Sequence, residues 1–189
     1  MKLTMLGGTF NPLHLGHINL AEIVREEFAY DRILFVPSFL PAHKDITGNV
    51  SADERLEMIR LSLRPYDWAD YSDCEIRRKG VSYTVDTLEY IYSHYEFEGK
   101  PGLIIGDDLA ENFYKWRSTE RIFELADLII AHRLYKHEIS LTFPHRYADN
   151  RIFSLSSSQI RDLAQSGQDL SDLVPPEALR YIRENRLYG

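Results

Sequence analysis

The chain has 189 residues, 44% of them hydrophobic and 27% charged, enough apolar matter for one compact domain to bury a core. Its formal charge of −7 excludes a protein that coats nucleic acid or an anionic membrane, because both tasks need a basic surface; a small anionic ligand held by a few local cations and backbone N–H groups is still allowed. Cys74 is the one cysteine, so neither an internal disulfide nor a cysteine zinc site can form, and no run approaches the roughly 18 apolar residues of a membrane span.

The N-terminus leads straight into a strand-like run, without a basic and then apolar leader, so the expected setting is cytoplasmic. Leu3 to Leu6 is that run; it ends in Gly7-Gly8, and Leu15 to Phe28 then carries apolar residues at largely helical spacing. Ile33-Leu34-Phe35-Val36 is a second apolar run closed by Pro37. Ser51-Ala52-Asp53-Glu54 is a capping box that opens a helix with Leu56, Met58, Ile59 and Leu63. Ser72 to Arg78 reads as an edge strand of alternating polarity, and Val85 to His94 as a helix. Leu103-Ile104-Ile105 before Gly106-Asp107-Asp108, and Leu128-Ile129-Ile130-Ala131, are continuous apolar runs of the kind buried in parallel sheets. Ser118 and Pro176 are helix-start residues for Thr119–Leu125 and Pro176–Arg186, and Lys136 to Asn150 is a loop before a short strand, Arg151–Phe153. Alternating strands and helices predict an α/β fold, a doubly wound, mostly parallel Rossmann-like sheet in a single domain over residues 1–189, with ligands beyond the carboxyl ends of the strands.

The first turn carries the densest chemistry. Gly7 and Gly8 let the backbone approach a phosphate, and the helix that follows offers unpaired N–H groups and its positive dipole end. Thr9 supplies a hydroxyl, Pro12 stiffens the loop, and His14 and His17 stand three apart with Gly16 between them, placed to stabilise a phosphoryl oxygen as charge builds. No third His, Cys or carboxylate lies at close spacing, so no protein-ligated metal is expected, and the Gly-x-Gly-x-x-Gly dinucleotide fingerprint is absent. Far downstream, Ser156 to Ser158 place hydroxyls at a helix start, with Arg161 one turn later able to reach phosphate oxygens.

Gly7-Gly8-Thr9-Phe10-Asn11-Pro12-Leu13-His14-Leu15-Gly16-His17 resembles the His-x-Gly-His signature of the nucleotidyltransferase superfamily, and Leu155 to Arg161 resembles its Ser-Ser-Thr-x-Ile-Arg motif. Three further segments resemble the bacterial nicotinate-nucleotide adenylyltransferases nearly end to end: Pro37 to Lys44, Gly80 to Thr87, and Ile104 to Asp108. The resemblance implies that ATP is bound by Gly7, Gly8, Thr9, Phe10, His14, Gly16, His17, Gly106, Asp108, Ser156, Ser157, Ser158, Ile160 and Arg161. It implies that nicotinate mononucleotide is bound by His43, Lys44, Thr84, Trp116 and Arg133, and that His14, His17, Lys44 and Arg161 carry catalysis. Mg²⁺ held mainly by ATP's phosphates is the implied cofactor, and the implied assembly is a monomer or homodimer. Asn11 stands where Asp is common, Asp107 where a small residue is common, and Ser158 where Thr is common; Asp107 is expected to alter contacts near the ribose. Neighbouring readings are a phosphopantetheine adenylyltransferase, a nicotinamide mononucleotide enzyme and a non-catalytic nucleotide sensor.

Overall fold

The computed structural model describes residues 1–42 and 48–189. Five strands and a short sixth form one parallel sheet: β1 (Leu3–Gly8), β2 (Arg32–Pro37), β4 (Ala69–Tyr71), β6 (Gly102–Gly106), β7 (Asp127–Ala131) and β8 (Arg146–Tyr147), in the order β4-β2-β1-β6-β7-β8. Two dipeptide strands, β3 (Leu40–Pro41) and β5 (Val81–Ser82), pair separately and in parallel. The helices are α1 (Leu15–Glu27), α2 (Ala52–Leu63), α3 (Cys74–Arg78), α4 (Thr84–His94), α5 (Asp107–Ala110), α6 (Thr119–Leu125), α7 (Ser157–Gln165) and α8 (Pro176–Glu184), with a 3₁₀ turn at Phe113–Lys115. The order reverses between β1 and β6, so a crevice opens beyond their carboxyl ends, where Gly7-Gly8 and Gly106 stand.

The sheet is apolar on both faces because its strands alternate between two cores. Leu34, Val36, Leu103, Ile105, Leu128 and Ile130 pack with α4 and α6, while Ile33, Phe35, Ile104 and Ile129 pack with α1 and α2. A third cluster joins Met58 of α2 to Ile160 of α7, Leu179 and Ile182 of α8 and the terminal Tyr188. The C-terminal helices therefore dock on α2, behind the first turn. Burying a large aliphatic side chain contributes about 1.5–3 kcal/mol, so this contact holds the second motif against the first far more strongly than any surface ion pair would.

Two expected strands take other forms. The segment read as a strand over Ser72 to Arg78 is α3 from Cys74, and the strand itself is shorter and earlier, at Ala69–Tyr71. Alternating polarity there reflects a helix one and a half turns long that buries Cys74, Glu75 and Ile76 together and exposes Arg77 and Arg78. The strand expected at Arg151–Phe153 is irregular, and the pairing with β7 is made earlier, at Arg146–Tyr147. The capping box at Ser51 is present, with the Glu54 N–H donating to Ser51 Oγ at 3.2 Å.

Candidate active site

The turn after β1 places a strained residue at its centre. Phe10 has φ of 48°, a left-handed conformation that costs an ordinary residue roughly 1–2 kcal/mol. Its ring is buried, 5.9 Å from Phe35 and edge-on to His17 at 5.1 Å. Full burial of a phenylalanine is worth about 1.5–3 kcal/mol, enough to offset the strain, and the same ring supports the His17 imidazole. The Asn11–Pro12 peptide that follows is cis.

His14 is the N-cap of α1, and the His14 N–H donates to His17 Nδ1 at 3.3 Å, with the two rings 3.7 Å apart. Because His17 Nδ1 accepts, the neutral ring carries its proton on Nε2, where it can be donated to a phosphate oxygen. Gly16 keeps the two rings together: a Cβ there would lie 2.7 Å from Phe153 and 3.0 Å from His14 Nδ1. Burial, aided by the Arg133 charge, pushes His14 down to about 4. It is therefore neutral near pH 7.

A depressed histidine makes the unfolded chain bind more protons between pH 6.5 and about 4, so stability rises with pH across that window. Acidifying from pH 7 to 4 removes up to about 3 kcal/mol on this account. Urea unfolding at both pH values checks it, and the His14→Gln variant should show a correspondingly flatter dependence. An unchanged slope would remove His14 as the source.

The second motif closes on the first across 150 residues. Arg161 Nη1 donates to the Asn11 carbonyl at 2.9 Å, and Ser157 Oγ to the Pro12 carbonyl at 2.9 Å. Arg161 Nη2 also donates to Ser158 Oγ at 3.0 Å, while Ser156 caps α7, accepting the Gln159 N–H at 3.2 Å. From the far end of the chain, the Tyr188 hydroxyl donates to Asn11 Oδ1 at 2.7 Å. Burial pushes that phenol up, so it stays a donor.

Around these residues lies a cavity of about 1070 Å³, room for two nucleotide-sized ligands. Gly7, Gly8, Thr9, Phe10, Gly16, Gly106, Asp108, Thr84, Trp116 and Arg133 line it together with both histidines, the three serines and Arg161. Ile160 does not, because its side chain is fully buried in the third core cluster. His43 and Lys44 lie outside the described residues, next to Pro41 and Ala42, which line the cavity. Thr9 Oγ1, His14 Nδ1 and Asp108 Oδ1 are buried polar atoms with no hydrogen-bond partner among the described residues. Such atoms are costly unless something else satisfies them, and all three residues face this one cavity.

Thr84 opens α4, and Trp116 follows the 3₁₀ turn with its ring 4.9 Å from Phe113. Arg117 fastens the two segments together, its guanidinium 4.8 Å over the Tyr83 ring and 3.5 Å from Asp86. Behind them Glu75 accepts from Thr87 Oγ1 at 2.5 Å, and burial pushes its carboxyl up.

At the end of β6, Asp107 departs from what was expected of it. It is fully buried and turns away from the cavity, accepting the N–H groups of Arg133, Leu134 and Tyr135 at 3.1, 2.9 and 3.0 Å. It ties down the turn after β7 and does not reach toward a ribose. Arg133, on that turn, lies 3.4 Å from Asp108, and a Cβ at Gly106 would collide with both. His132 lines the cavity and stands 3.9 Å from Asp107. Its neighbours in sequence carry no motif, so only the strand that precedes it could have signalled its place.

A switch-point crevice floored by a glycine turn, a helix N-terminus and an arginine one turn into a second helix defines an α/β protein with a site suited to the phosphates of a nucleotide. The sequence model of the cytidylyltransferase-like family matches residues 5–163. A Borreliella burgdorferi protein named a probable nicotinate-nucleotide adenylyltransferase is 42% identical over 188 residues, covering all of this chain and 97% of its own. A Treponema pallidum protein of the same name is 33% identical over 202 residues, covering all of this chain and 99% of its own. The chain thus belongs to the cytidylyltransferase-like family and, within it, to the nicotinate-nucleotide adenylyltransferases. In three dimensions it is similar to the Plasmodium falciparum nicotinic acid mononucleotide adenylyltransferase complexed with NaAD, with a TM-score of 0.77 at 18% identity over 99% of this chain and 97% of the other. That likeness concerns the fold.

Proposed function

We propose that the cavity binds ATP over the Gly7–His17 turn and nicotinate mononucleotide toward Thr84 and Trp116, and that the chain joins them into deamido-NAD with release of pyrophosphate. The observation that carries this reading is the closure of Arg161 and Ser157 onto the carbonyls of Asn11 and Pro12, which brings two distant motifs together. A phosphate oxygen of the mononucleotide attacks ATP's α-phosphorus, forming one P–O bond as the bond to the bridging α,β-oxygen breaks. The nucleophile is already an anion, so no general base is needed. Rate enhancement comes from holding the two phosphates in line and neutralising the charge that develops.

His14, His17, Arg161 and the start of α1 surround the triphosphate in this reading, with Ser156 to Ser158 near the departing pyrophosphate. Gly106 gives room for the ribose, and Asp108 accepts from its hydroxyls. Lys44 and His43 hold the acceptor's phosphate, and Arg133 leaves Asp108 to close over it. Trp116 stacks on the pyridine ring, and Thr84 with the first N–H groups of α4 receives the carboxylate; a carboxamide there would leave a polar group mismatched. In this reading a divalent metal accompanies ATP. Among the described residues no three His, Cys, Asp or Glu side chains gather as ligands, so we assign Mg²⁺ to the phosphates and water. Among the same residues no helix is long and apolar enough to cross a membrane.

Pyrophosphate release, measured with ATP plus nicotinate mononucleotide, nicotinamide mononucleotide or phosphopantetheine, tests the assignment. The expected order is nicotinate far above nicotinamide, by roughly 10²-fold or more in kcat/KM, with no release from phosphopantetheine. A preference for either other acceptor would overturn it. ATP binding without release from any acceptor would favour the nucleotide sensor.

A further inference from the structure

Arg55, on α2, is the largest fully buried side chain among the described residues, with 1% exposure. Its Nη1 donates to the Thr9 carbonyl at 2.7 Å and its Nη2 to the Phe39 carbonyl at 3.3 Å, while Nε has no partner. No carboxylate pairs with it among the described residues; its guanidinium donates to backbone carbonyls. Burying a cation with no anion is expensive, and two carbonyl contacts offset only part of the cost. Thr9 belongs to the wall of the cavity, so the charge sits one peptide behind the phosphate turn. Phe39 leads into Pro41 and Ala42, which line the same cavity. One planar fork therefore fastens the two loops that meet the two substrates.

We propose that Arg55 is a positioning residue whose counter-charge is the polyphosphate of the bound nucleotide. The fork holds the Thr9 and Phe39 carbonyls toward α2. The charge acts through a medium of low dielectric, where it is little screened and favours each added phosphate. This rests on the reading of the cavity as the ATP site.

Calorimetric titration of the full chain with ATP, ADP, AMP and adenosine tests it in the wild type and in Arg55→Met and Arg55→Lys. Arg55→Met should lose about 30-fold or more in ATP affinity while adenosine binding stays within about threefold, the loss growing with phosphate number. Arg55→Lys keeps the charge and loses the fork, so its ATP-to-adenosine ratio should stay within about fivefold of wild type while kcat falls about tenfold. Equal losses for ATP and adenosine in a folded Arg55→Met would overturn the proposal, as would no loss at all. Should the methionine variant fail to fold, the lysine variant decides: a preserved ratio together with the fall in kcat supports the proposal, and a collapsed ratio or an unchanged kcat overturns it. Pyrophosphate release by the wild type is read separately, so a wrong acceptor assignment leaves the Arg55 result standing.

Discussion

Replacing His17 by alanine lowers the turnover of pyrophosphate release by roughly 10²–10³-fold, the scale of losing one positioned donor to transition-state charge. The loss should fall on kcat more than on the KM for ATP, because the charge that Nε2 meets grows as the bond to pyrophosphate breaks. His17 is well placed for this. Its Nδ1 is held by the His14 N–H, and its ring leans on the buried Phe10. Alanine removes the ring without opening the core, so circular dichroism of the variant should match the wild type. A folded variant with a near-normal rate would remove His17 from the chemistry.

Asp107→Ala should cost about 2–4 kcal/mol in stability, read as a lowered urea midpoint at unchanged slope. Three backbone N–H groups lose a common acceptor at once, each worth about 1–3 kcal/mol if left buried and unpaired. The total stays below their sum because Arg133 and Leu134 are exposed and the opened turn can take up water. Asp108→Ala, one residue on and only partly buried, should change stability by less than about 1 kcal/mol while lowering activity. The two adjacent aspartates thus separate by assay. Equal stability losses would show that the buried acceptor role is misassigned.

The contrast between these two residues marks how far local patterning carries. Asp107 and Asp108 follow the same apolar run and look alike in sequence, yet one is sealed in a turn made by residues 26 to 28 positions later and the other faces the cavity. Nothing in the periodicity near Asp107 indicates where Arg133 to Tyr135 will fold. The same limit applies to α3. Five residues are too few for helical periodicity to differ clearly from strand alternation, and burial of Glu75 against Thr87 decides the outcome. Arg55 reads in sequence as one more charge on an amphipathic helix, and docking of α8 over α2 is what buries that region.

By itself the sequence determined the strand, glycine turn and helix that open the chain, the repeated βα pattern and the class of ligand suited to the turn after β1. Each of these depends on backbone groups and side chains within about one helical turn of one another, where spacing and geometry are nearly the same thing. Tertiary structure decided that Arg161 and Ser157 complete that turn, that Tyr188 and Arg55 brace it from behind, and that Asp107 serves a loop and not a ligand. Those contacts join residues 26 to 177 positions apart. They form only once the sheet and the third core cluster have buried enough apolar surface to offset the entropy of closing such loops.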